Sequence, residues 1–131
     1  MALFPKPDLY QADIWANMRI GILGGSFNPA HAGHRHISLM AIQKLRLDAV
    51  WWLVTPQNPL KEKTDTAPLA ERMAQAKKVA NHPHICITDL EAKLKTIYTA
   101  ETLPKLKQYF PKTHFVWMMG MDNLHTIHPW E

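Results

Sequence analysis

Four short apolar runs, separated by stretches of helical periodicity, leave this chain few ways to fold. The run at 19–23 ends in Gly24-Gly25 and reads as a buried strand meeting a tight turn. The second, 49–54, is Ala-Val-Trp-Trp-Leu-Val, and Pro56-Gln57-Asn58-Pro59 breaks it. The third, 84–88, alternates around Ile85 and Ile87, and the fourth, 114–119, ends at Gly120. Between the first two runs, Ile37, Met40, Ala41 and Leu45 recur at helical spacing, and Asn28-Pro29 reads as the helix start. Residues 68–80 form a second periodic stretch, with Leu69, Met73, Ala76 and Val79-Ala80 apolar. Residues 99–110 form a third, which Thr99 opens as cap and which Pro104 is expected to kink. Strands alternating with helices predict right-handed crossovers and an α/β domain, a Rossmann-like parallel sheet with helices on both faces.

A sheet of this kind binds ligands beyond the carboxyl ends of its strands. Three segments fall there: the Gly24-Gly25 turn, the Asn58–Lys61 loop and the Gly120-Met121-Asp122 turn. Gly24-Gly25 lets backbone approach a ligand, and a helix start after it presents N–H groups and a partial positive charge. His31 and His34, three apart, share a face of that helix start. Two imidazoles there suit phosphate oxygens and charge that grows in phosphoryl transfer. The glycines match neither GxGxxG nor a Gly-Lys-Ser/Thr loop. Taken singly, the residues also fit a glycine turn before a histidine-capped helix.

The 131 residues suit one domain, and 47% hydrophobic with 20% charged content is that of a soluble globular protein. A net charge of +4 favours anionic ligands, while the dispersed lysines give no basic patch for nucleic acid. Cys86 is the single cysteine, which excludes an internal disulfide and points to a reducing, cytoplasmic setting; it reads as a small apolar filler. No apolar run approaches the roughly 20 residues of a membrane span. His31, His34 and His36 lack a carboxylate within their run, so no metal site is assigned. Residues 1–17 carry two prolines and no clear period, which suggests an N-terminal extension before a domain at 18–131, with helical packing from Tyr10 to Trp15 as the other reading.

The segment Gly24-Gly25-Ser26-Phe27-Asn28-Pro29-Ala30-His31-Ala32-Gly33-His34 resembles the HxGH nucleotidylyltransferases, and within them the bacterial nicotinate mononucleotide adenylyltransferases. The resemblance runs from about Met18 to Trp130. It includes Pro56-Gln57-Asn58-Pro59-Leu60-Lys61, Tyr98-Thr99-Ala100-Glu101-Thr102-Leu103 and Met119-Gly120-Met121-Asp122-Asn123. It implies transfer of AMP from ATP, accompanied by Mg²⁺, to nicotinate mononucleotide, giving nicotinate adenine dinucleotide and pyrophosphate in NAD synthesis. It implies His31, His34 and Lys61 as catalytic cations, and Gly24, Gly25, Ser26, Phe27 and Gly33 beside the two histidines as ATP contacts. Thr99, Asp122 and Trp130 would bind the mononucleotide.

Alone, Thr99 and Asp122 read as helix caps, Lys61 as a solvated lysine and Trp130 as a loosely packed chain end. Family members continue beyond the match to Glu131 with a Ser/Thr-rich motif ending in Arg. The resemblance therefore predicts a domain incomplete at its C-terminal side: a fragment, a natural truncation or one part of a two-chain enzyme. An uncovered fourth strand bearing Phe115 and Trp117 would then favour self-association. A non-catalytic nucleotide-binding module remains an alternative, as do a cytidylyltransferase and a phosphopantetheine adenylyltransferase.

Overall fold

In the computed structural model, residues 4–56, 67–95 and 99–118 are described. They form a four-stranded parallel sheet in the order β3-β2-β1-β4, with β1 Arg19–Gly25, β2 Ala49–Val54, β3 Ile85–Thr88 and β4 His114–Met118. The helices are α1 Ala32–Leu45, α2 Leu69–Ala80, α3 Leu90–Leu94 and α4 Thr99–Tyr109, preceded by a 3-10 turn at Ala12–Trp15. Chain order and sheet order part between β1 and β4. The sheet grows outward from β1 to β3, then returns to the other side of β1, which puts a topological switch point beside that strand.

The two tryptophans of β2 show how the sheet is covered. Successive strand side chains point to opposite faces. Val50, Trp52 and Val54 enter one core with Leu23, Ile85, Ile87 and Met118, against Ala76 and Ala80 of α2 and Ile37 and Ile42 of α1. Ala49, Trp51 and Leu53 enter another, with Ile20, Ile22 and Cys86 against Leu90, Leu94, Leu106 and Phe110. With both faces covered, all six β2 residues are buried. The same holds for β3, where the expected alternation gives way to four buried residues in a row. Burial pushes the Cys86 thiol up to about 12, as befits an inert filler.

The helices depart from the sequence reading in three places. The first begins at Ala32 rather than at Asn28-Pro29, because His31 takes the capping position. Asn28 instead accepts a long hydrogen bond from Ala67 N–H, at 3.4 Å. The helix α4 runs unbroken through Pro104. The short α3 was not expected: only five residues long, it carries no repeat that periodicity could reveal. Arg46, Asn81 and Lys95 end α1, α2 and α3 in the left-handed conformation, with no glycine to mark the stops.

The segment before β1 packs into the second core. Trp15 is fully buried and meets Trp51 edge-on, with ring centroids 5.0 Å apart. Its carbonyl accepts the Thr113 hydroxyl at 2.9 Å, and Asn17 N–H donates to Lys112 carbonyl at 2.8 Å. These bonds fasten the segment to the entry of β4. Trp15→Ala is therefore expected to cost about 3–5 kcal/mol, the range for deleting a large buried side chain. Denaturant unfolding measures this; a loss below about 1 kcal/mol would show that the segment is dispensable to the core.

Candidate active site

The carboxyl end of β1 is built to leave backbone open. The strand includes both Gly24 and Gly25, so the expected glycine turn lies further on. Neither glycine has positive φ. A Cβ at Gly24 would lie 3.4 Å from the Trp117 ring, and one at Gly25 would lie 3.7 Å from Phe27. The strained turn is at Phe27, with φ 49°. Its ring stacks on Trp52, with centroids 5.1 Å apart and planes 13° from parallel, and lies 4.6 Å from the His34 ring. Packing thus holds a bulky residue in a conformation it rarely adopts, while adjacent Ser26 is exposed.

At the start of α1 the two histidines cap the helix for each other. Gly33 N–H donates to His31 Nδ1 at 3.1 Å, and His31 N–H donates to His34 Nδ1 at 3.0 Å. The rings lie 4.2 Å apart. An Nδ1 that accepts must carry a lone pair, so each neutral ring bears its proton on Nε2. Gly33 N–H is engaged by the cap, and His34 N–H donates to His31 carbonyl at 3.0 Å. The expectation of free helix-start amides is corrected for these two groups. The cap thus makes Nε2 the donor nitrogen of each neutral ring. Ser38 holds α1 in place: its hydroxyl donates to His34 carbonyl at 2.8 Å and accepts the Trp52 indole N–H at 2.7 Å.

Two buried charged residues absent from the sequence reading organise the same edge. Arg72 of α2 is 3% exposed. Its guanidinium donates to the carbonyls of Ala67 at 2.8 Å, Ser26 at 2.9 Å and Thr55 at 2.7 Å. Burial lowers its pKa below the ordinary arginine value. Glu91 of α3 is 5% exposed, and its two oxygens accept the hydroxyls of Thr55 and Thr102, each at 2.9 Å. Burial raises its pKa, while the two hydroxyls pull it back down. In the sequence, Arg72 reads only as a polar helix position and Glu91 sits in a helix too short to detect.

Gly24, Gly25, Ser26, Phe27, His31, Gly33 and His34 are thus brought together between β1 and α1. Thr99 opens α4. Its side chain lies outside the described residues, as do Lys61, Asp122 and Trp130. Among the described residues, no three His, Cys, Asp or Glu side chains converge as a metal site would need. A cavity of about 340 Å³ lies elsewhere, among Phe4, Lys6, Lys77, His82 and Ile85. It includes none of the β1–α1 residues.

Residues 22–131 match the cytidylyltransferase-like family model, and the chain belongs to that family. It is similar to a protein of Cereibacter sphaeroides named "probable nicotinate-nucleotide adenylyltransferase", 54% identical over 114 residues, 87% of this chain and 61% of that protein. A protein of the same name from Methylorubrum extorquens is 57% identical over 113 residues, 86% of this chain and 61% of the relative. The chain thus spans about three fifths of the length of these relatives. Among solved structures, the nicotinic acid mononucleotide adenylyltransferase of Plasmodium falciparum complexed with NaAD superposes with a TM-score of 0.68 at 21% identity. The match covers 87% of this chain and 57% of that one. That likeness bears on the fold, and it agrees with the parallel α/β sheet expected from the sequence.

Glu91 gives the site a measurable pH signature. Its folded pKa lies above the ordinary 4.5, so the folded state holds this proton more tightly than the unfolded chain. The stabilising contribution is then full below that value and is lost as pH rises through the raised one. Relative to wild type, Glu91→Gln should gain thermal stability progressively as pH rises from the ordinary carboxylate value of 4.5 through the raised folded one. A difference in melting temperature that stays constant with pH contradicts this assignment.

Proposed function

We propose that this chain carries the phosphate-handling part of a nicotinate-nucleotide adenylyltransferase, cytoplasmic in setting. The observation that carries the proposal is the mutual histidine cap at the carboxyl end of β1, with the proton of each ring on Nε2. The names of the relatives, at 54% and 57% identity, support the choice of substrates.

In this reading an oxygen of the nicotinate mononucleotide phosphate forms a bond to the α-phosphorus of ATP. The bond from that phosphorus to the bridging oxygen breaks, and pyrophosphate leaves with the electron pair. The attacking oxygen is already anionic at neutral pH, so no general base is needed. Catalysis reduces to alignment and charge stabilisation. His31 and His34 donate from Nε2 to phosphate oxygens, and Lys61 adds a cation. Gly24, Gly25, Ser26, Phe27 and Gly33 shape the approach of ATP. Thr99, Asp122 and Trp130 take the mononucleotide, with Trp130 as an aromatic plane for the pyridine ring. Mg²⁺ is the counter-ion that ATP brings. The histidine cap supplies donors suited to phosphate, and the ion is read as held by the ATP phosphates.

A pyrophosphate-release assay tests the reading, with ATP or CTP against nicotinate mononucleotide, nicotinamide mononucleotide, glycerol phosphate and phosphopantetheine. ATP with nicotinate mononucleotide is expected to lead, and His34→Ala should lower kcat by about 10²–10³-fold, the usual loss for one transition-state donor. Preference for CTP with glycerol phosphate, or for phosphopantetheine, overturns the substrate assignment. ATP binding without turnover leaves a binding module.

A further inference from the structure

Thr55 is fixed through every polar group it has. Its N–H donates to Gly25 carbonyl at 2.9 Å, its carbonyl accepts from Arg72 at 2.7 Å, and its hydroxyl donates to Glu91 at 2.9 Å. Arg72 Nη1 reaches the Ser26 carbonyl as well, at 2.9 Å. The second Glu91 oxygen accepts the Thr102 hydroxyl at 2.9 Å. Thr102 is fully buried in α4, three residues after Thr99. A continuous run of short hydrogen bonds therefore joins the Gly25-Ser26 edge to α4, and a single buried carboxylate bridges its middle.

A carboxylate is a costly bridge. Taking it out of water is penalised, and the upward pull on its pKa is that penalty seen in titration. An apolar side chain would fill the space more cheaply but could not accept two hydroxyls at once. Rigid sp² geometry sets a fixed separation between the two hydroxyls it holds. The bridge thus trades stability for defined placement of β2 against α4.

We infer that Glu91 is a positioning residue that couples occupancy of the β1–α1 phosphate site to α4, so that ATP prepares the chain for its second substrate. This rests on the adenylyltransferase reading for the identity of that substrate. ATP phosphates settling on Gly25 and Ser26 shift or stiffen Thr55; Glu91 carries this to Thr102, and α4 carries it to Thr99. Linkage makes the effect reciprocal, with coupling of about 5–150-fold typical of two linked sites.

The test measures affinity for nicotinate mononucleotide by calorimetry, with and without a non-hydrolysable ATP analogue, and amide exchange in α4 with the analogue alone. In wild type the analogue should tighten mononucleotide binding by about fivefold or more and slow exchange in α4. In Glu91→Ala both effects should vanish, although each ligand still binds alone. Glu91→Gln should recover most of the coupling, because an amide accepts from one hydroxyl and donates to the other once that hydroxyl turns. Where Glu91→Ala fails to fold, Thr102→Val removes one bond of the bridge at nearly constant volume and should abolish the coupling likewise. Wild-type coupling retained in Glu91→Ala or Thr102→Val overturns the inference, even where melting temperature falls. A wild-type chain that binds the ATP analogue but not the mononucleotide refutes the acceptor assignment instead. The α4 exchange response then decides Glu91: protection lost in the variants supports the bridge, and protection kept overturns it.

Discussion

A buried guanidinium holds the carboxyl end of this sheet together. Arg72 spends its donors on backbone carbonyls from the turn after β1, the end of β2 and the approach to α2. Among the described residues the one ion pair is Lys6 with Asp89, so carbonyl dipoles rather than a carboxylate compensate the Arg72 charge. Two consequences follow. The three carbonyls are satisfied without water at the edge where an anion would sit. A positive charge also remains close behind the Ser26 turn, screened less than a surface lysine would be. Lysine could not replace it, since one ammonium lacks the planar fork that spans separated acceptors.

Around that anchor, packing places the elements of the proposed phosphate site. A Cβ at Gly24 or Gly25 would meet Trp117 or Phe27 only at ordinary contact distance, so the core itself does not demand glycine there. Phe27 tolerates its left-handed backbone because Trp52 stacks beneath it and His34 borders it. Trp52, through Ser38, touches α1 as well. The aromatic stack therefore joins β2 to the turn and to the helix that bears the histidines. The imidazoles are placed by the core on one side and by each other on the other, which is the rigidity that charge stabilisation in a transition state requires.

Much of this is legible in the sequence. The order of strands and helices follows from apolar runs and periodicity, and the parallel sheet follows from their alternation. Gly24 to His34 is legible as a unit because glycines, proline and histidines crowd into one short segment. Other features are hidden for physical reasons. No local signal can show that an Arg at 72 is buried or that its partners lie at 26 and 55, since those contacts are made only when distant segments meet. Glu91 is equally silent, in a five-residue helix. His31 displaces Asn28 as cap although Asn is the better cap by propensity, because His34 reciprocates and Asn28 bonds elsewhere. Residues 1–17 read as an extension with helical packing from Tyr10 to Trp15 left open, and Trp15 is part of the core; one short turn without a repeat gives only a weak sign of that burial.

In the proposed reaction the histidine pair meets phosphate through Nε2 of both rings, because Nδ1 of both is committed to the cap. Nitrogen-15 NMR of the imidazoles, recorded as a non-hydrolysable ATP analogue is titrated in, tests it directly. His31 and His34 are expected to keep the proton on Nε2, and the Nε2 resonances to move on binding, while the Nδ1 resonances stay near their unliganded positions. Nδ1 protonation without ligand in either ring, or saturation by the analogue with all four nitrogen resonances unchanged, would contradict it.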